Sequence, residues 1–101
     1  MANEEILLRC MSMTNKVSIR LHRNGALIIV YYGKRRDDYD AFGAFVFPSF
    51  GIADLKKFLE TLEKNGELSD ETKRSILRAL ASFAKECGRK DIYKAIVAYC
   101  I

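Results

Sequence analysis

The chain reads as an α+β domain, with a small antiparallel sheet of three to four strands in its N-terminal half packed with three C-terminal α-helices. Three observations carry this. Residues 16–23 alternate polar and apolar side chains with the period of a strand. Asn24-Gly25 follows at once, the strongest short hairpin signal. Beyond Gly51 the apolar residues recur at helical spacing instead. At 101 residues the chain makes one domain, about 4–50 supplying the sheet and about 52–101 the helices. A domain of this size buries roughly 60–70% of its unfolded surface, enough for a single core. Half of the residues are apolar, which argues against disorder.

Each element has its own signature. Residues 4–12 are compatible with a further strand or a short helix, and periodicity does not decide between them. In 16–23, Val17, Ile19 and Leu21 point one way and Lys16, Ser18, Arg20 and His22 the other. Residues 26–32 are the return strand. With a two-residue type I′ turn, paired positions sum to 49. That register sets Val17, Ile19 and Leu21 with Tyr32, Val30 and Ile28 on the core face. It leaves Ser18 with Tyr31, Arg20 with Ile29 and His22 with Leu27 on the other face. Residues 33–40 read as an exposed loop, basic and then acidic. A further strand at about 41–47 is aromatic on both faces, and Pro48 ends it.

The first helix follows Gly51, with Leu55, Phe58, Leu59 and Leu62 as its apolar stripe, and Asn65-Gly66 stops it. Ser69 is the N-cap of the second, with Asp70 and Glu71 at the positive end of the helix dipole. Its stripe is Ile76, Leu80, Phe83 and Cys87, and Gly88 closes it. A last helix at about 91–100 carries Ile92, Ile96 and Val97. The helices hold more apolar surface than one small sheet face needs, with alanines that permit close approach. Self-association through the C-terminal helices, as a dimer or tetramer, is therefore expected.

Charge and aromatic content point to a ligand. From Lys16 to Arg36 there are six cations (Lys16, Arg20, Arg23, Lys34, Arg35, Arg36) and no Asp or Glu. Seven of the eleven aromatic residues lie between positions 31 and 50, so a sheet covered on one side cannot hide them all. Cations attract phosphates without regard to base sequence, and exposed rings stack on unpaired bases. Single-stranded nucleic acid is the expected partner. Arg20, Lys34, Arg35 and Arg36 are candidates for phosphates, Tyr31, Tyr39, Phe42 and Phe45 for stacking, and His22 for either. DNA and RNA both stay open, because nothing here senses a 2′-hydroxyl recognisably. A protein-interaction module with its aromatic sheet face buried against another chain is the alternative.

Other chemistry lacks its motifs. No phosphate-binding glycine loop, nucleophile elbow or zinc spacing occurs, so no enzyme activity, cofactor or metal is expected. The carboxylates of Asp37, Asp38 and Asp40 suit a hard cation but lack a glycine-turn calcium loop. No apolar run approaches the ~18 residues of a membrane span. The start of the chain, with Glu4 and Glu5, lacks a basic signal region. Cys10, Cys87 and Cys100 are odd in number and widely spaced, which suits buried thiols in a reducing interior.

The order strand, Asn-Gly, aromatic strand, basic loop, aromatic strand, then Phe50-Gly51-Ile52-Ala53-Asp54-Leu55-Lys56-Lys57-Phe58-Leu59 resembles a known group. Over roughly residues 4–87 it looks like the DNA-binding domain of archaeal ThermoDBP-type single-stranded-DNA-binding proteins and their shorter relatives. The resemblance implies a small sheet packed with helices and a basic, aromatic groove holding single-stranded DNA. It also implies homo-oligomers, a role in genome maintenance and a cytoplasmic, nucleoid-associated location. The leucine-zipper extension of the longer members is missing, so an oligomer must form differently. The same region is also similar to the PC4-type transcriptional coactivator fold, whose Gly-Ile pair before a helix is matched by Gly51-Ile52. The helices after residue 66 do not fit that fold.

Overall fold

The structure is a computed structural model that describes residues 6–11, 17–22, 24–37 and 39–100, with the backbone alone for 6–11 and 100. Lys16, Arg23, Asp38 and the side chains of Cys10 and Cys100 lie outside the described residues, as do residues 1–5 and 12–15.

Four strands, β1 (Ile6–Met11), β2 (Val17–His22), β3 (Leu27–Lys34) and β4 (Asp40–Phe47), form one antiparallel sheet in chain order. Three helices follow: α1 (Ile52–Lys64), α2 (Asp70–Glu86) and α3 (Lys90–Cys100). The α+β class, with strands first and helices after, is as expected. Residues 6–11, left open between strand and helix, form a strand that pairs with β2 through a bulge between Ile6 and Leu8.

The β2–β3 register differs from the expected one by a single residue. Val17 faces Tyr31, Ile19 faces Ile29 and Leu21 faces Leu27, so partners sum to 48 rather than 49. The cause is the turn. His22 and Ala26 close the hairpin, with His22 N–H donating to Ala26 O at 2.9 Å and Gly25 N–H to His22 O at 2.9 Å. Three residues therefore lie between the strands, and Gly25, at φ 96°, takes the left-handed position that ends such a loop. Asn24 serves from its side chain, its Oδ1 accepting from Ala26 N–H at 3.0 Å. Because side chains alternate with period two, this slip exchanges the faces of every β3 residue relative to β2.

The sheet's inner face is built from Val17, Ile19, Leu27 and Ile29, all buried, with Tyr31, Phe45 and Phe47 packed on them. Phe58 of α1 meets Phe45 edge-on at 4.9 Å and Phe47 at 5.6 Å between ring centroids. The α1 stripe of Leu55, Phe58, Leu59 and Leu62 is buried as the spacing requires. Ile76, Leu80 and Phe83 of α2 are buried too, and Ile92 and Ile96 complete the core from α3.

Helix ends behave partly as expected. Ser69 Oγ accepts from Thr72 N–H, the N-cap of α2. Gly88, at φ 76°, closes α2 while Arg89 N–H returns to Ala84 O at 2.9 Å. At the end of α1 the stop works through asparagine and not through a left-handed glycine. Asn65 Oδ1 accepts from Glu67 N–H and Leu68 N–H, and Lys73 Nζ donates to Asn65 O at 2.7 Å and Glu63 O at 3.3 Å. That explains a lysine with 9% exposure: its ammonium satisfies orphan carbonyls at a helix C-terminus.

Candidate nucleic-acid interface

The sheet's outer face follows from the same alternation. β4 sets Phe42, Ala44 and Val46 outward and Gly43, Phe45 and Phe47 inward. β3, by register, sets Ile28, Val30 and Tyr32 on the outer side. Cross-strand rows then run Tyr32–Phe42, Ser18–Val30–Ala44 and Arg20–Ile28–Val46. Phe42 is 80% exposed, Val46 62%, Tyr32 49% and Val30 36%. The Tyr32 and Phe42 rings lie 6.5 Å apart between centroids and 20° from parallel. Two near-parallel rings on an open sheet face are a stacking platform.

The charged rim lies at the β3–β4 end of this face. The stretch expected to be a loop over 33–40 is strand at its two ends, where Gly33 and Lys34 finish β3 and Lys34 pairs with Asp40 of β4; Arg36 and Asp37 turn between them. Arg35 N–H donates to Tyr39 O at 2.8 Å, and Arg36 N–H donates to Glu67 O at 2.7 Å, tying the turn to the α1–α2 connection. Each cation of the turn has a carboxylate near it. Lys34 Nζ is 2.9 Å from Asp40, Arg35 Nε 3.6 Å from Asp37 and Arg36 4.0 Å from Asp70. All of these groups are well exposed, and such surface pairs contribute roughly 0.2–1 kcal/mol each, so a phosphate competes with them easily.

Asp40 also accepts a hydrogen bond from the Tyr32 hydroxyl at 2.9 Å. That bond, reinforced by the carboxylate's charge, holds the Tyr32 phenol above its ordinary value, with Lys34 opposing. Arg20 is half-buried in the middle of the face. Its Nε is buried and bonds to no described group.

Of the nine residues expected at the site, Arg20, Lys34, Arg35, Arg36, Tyr39 and Phe42 lie on this face or its rim, Tyr39 at 69% exposure. Tyr31 and Phe45 do not. They stack on each other at 5.3 Å on the inner face, against the core: the three-residue turn reverses β3 and carries Tyr31 inward, and Phe45, opposite Ile29 and three residues from Phe42, lies on the other face of β4. His22 is only 8% exposed, at the end of β2 where it pairs with Ile6 and closes the turn to Ala26. Sequence reasoning missed Tyr32, Val30 and Val46. The available signal was Gly25 itself, which suits the end of a three-residue loop as well as a two-residue turn.

Among the described residues no three His, Cys, Asp or Glu side chains gather as metal ligands, and no helix is long and apolar enough to cross a membrane. No family model, curated protein or solved structure matches this chain.

Proposed function

We propose that the chain binds single-stranded DNA with little sequence preference on the outer face of its sheet. The observation that carries this is the Tyr32–Phe42 pair, two exposed rings 20° from parallel. Base stacking contributes roughly 1–3 kcal/mol per ring, and every base has a face to offer. Arg20 adds a half-buried cation to the face, and Lys34, Arg35 and Arg36 supply phosphate contacts at its rim. A duplex is a poor ligand here. Its base faces are already stacked, and three strand spacings of about 4.8 Å make a surface wider than the ~12 Å major groove. The ThermoDBP-type resemblance implies the same ligand, with genome maintenance near the nucleoid as its setting.

Fluorescence anisotropy with labelled oligo-dT and a duplex of equal length tests the reading. Oligo-dT should bind more tightly, and Phe42→Ala should weaken it about 5- to 150-fold. Equal affinity for both ligands, or no binding to either, would remove the proposal. Oligo-U alongside oligo-dT reads the RNA preference.

A second reading rests on Val30 and Val46, aliphatic side chains on the same face that bases do not stack on. They favour subunit assembly, with this sheet face buried between copies. The C-terminal helices support self-association less well, because Ile92 and Ile96 are already buried within one chain. Light scattering separates the readings: Tyr32→Ala with Phe42→Ala lowers the mass if the face is an interface.

A further inference from the structure

A groove of about 460 Å³ lies between α2 and α3, with Leu77, Ile96 and Val97 in its lining and Tyr99 and two arginines, Arg74 and Arg78, alongside. We infer that this groove docks an acidic, amphipathic segment of a partner protein. The arginines are one helical turn apart and exposed, so both guanidinium groups share one edge of the groove. Arg35, Arg36 and Arg89 each have a carboxylate within 4.0 Å, whereas Arg74 and Arg78 have none among the described residues. Glu63 and Asp70 line an adjoining cleft with Arg74, Leu77 and Tyr99, but neither makes an ion pair with Arg74. Asp70 pairs with Arg36, and Glu71 lines a separate cleft with Gly33 and Ser75.

The lining decides between occupants. Leu77, Ala81, Ile96 and Val97 have no π-face, and the one ring of the lining, Tyr99, is tied through its hydroxyl to Leu59 O at 3.5 Å, so a strand of nucleic acid would satisfy the arginines and leave the aliphatic floor unused. A second copy meeting this groove across a two-fold axis would set arginines against arginines. A segment with apolar side chains on one side and Asp or Glu beside them satisfies both parts, the carboxylates accepting from the guanidinium forks. The groove lies between α2 and α3, and its Arg74, Leu77 and Tyr99 also border a cleft that reaches Arg36 at the rim of the sheet face.

The probe is a fluorescein-labelled helical peptide of about 15 residues, leucines at i, i+4 on one face and glutamates flanking them. A scrambled peptide of the same composition is the control. Binding to the full chain is expected for the first peptide, weakened at least about tenfold by Arg74→Glu with Arg78→Glu and also by Val97→Lys. These positions are exposed, and circular dichroism verifies that the variants fold. In Val97→Lys, whose change lies away from the Arg36 cleft, oligo-dT affinity should change less than about twofold, which separates this inference from the proposed function. No peptide binding, equal binding of the scrambled control, or equal binding by the charge-reversed variant would overturn it. So would a loss of oligo-dT affinity, or of oligomer mass, in Val97→Lys.

Discussion

Asp40 restrains two groups that a nucleic acid would use. It accepts from the Tyr32 hydroxyl at 2.9 Å and neutralises Lys34 at 2.9 Å. Asp40→Asn should therefore act in two measurable ways. The Tyr32 phenol loses its charged acceptor and titrates lower, back toward an ordinary tyrosine, which ultraviolet absorbance against a Tyr32→Phe reference reads. Lys34 is released from a surface pair of roughly 0.2–1 kcal/mol, so oligo-dT affinity should rise about 1.5- to 5-fold. The salt slope should steepen by up to about 0.7, the value of one added phosphate contact on a single strand. An unchanged affinity would place Lys34 outside the interface.

At the scale of elements, one threonine joins the sheet to the helices. Thr72 Oγ1 accepts from Lys34 N–H at 2.9 Å and donates to Lys34 O at 3.0 Å, while Ser69 N–H donates to the same carbonyl at 3.0 Å. Gly33 permits the approach: a Cβ there would lie 2.6 Å from Thr72 Oγ1. Thr72→Val keeps the volume but leaves the Lys34 amide without its acceptor, at a cost of roughly 1–3 kcal/mol. In urea unfolding the midpoint should fall with an unchanged slope. A midpoint equal to wild type would mean that the hook contributes nothing.

The same scale shows what was legible beforehand. The helices were, because an amphipathic stripe such as Leu55, Phe58, Leu59 and Leu62 admits one buried face, and Ser69 and Gly88 mark ends by local chemistry. The strands' existence was legible too. The facing of β3 was not, since Leu27, Ile29 and Tyr31 are as apolar as Ile28, Val30 and Tyr32. Only turn length sets that parity, and Asn24-Gly25 admits two lengths. Tyr31 was thereby exchanged for Tyr32 as a platform residue. Arg20 kept its place because β2 alternates apolar and polar side chains; β4 carries rings on both faces, and Phe42 and Phe45, three residues apart, fall on opposite ones.

At the scale of the molecule the fold has two unlike sides. Helices seal one face of the sheet with the large inner rings, and the other face keeps Phe42, Tyr32 and Val46 in the open. The central claim is that this open side meets the bases of a single strand. Titrating isotope-labelled protein with oligo-dT while recording amide NMR shifts tests it most directly. The largest changes should fall at Val30, Tyr32, Phe42 and Val46 and at the Lys34–Arg36 rim, with α3 unmoved. Changes concentrated on α2 and α3, with the Tyr32 and Phe42 amides silent at saturation, would contradict it.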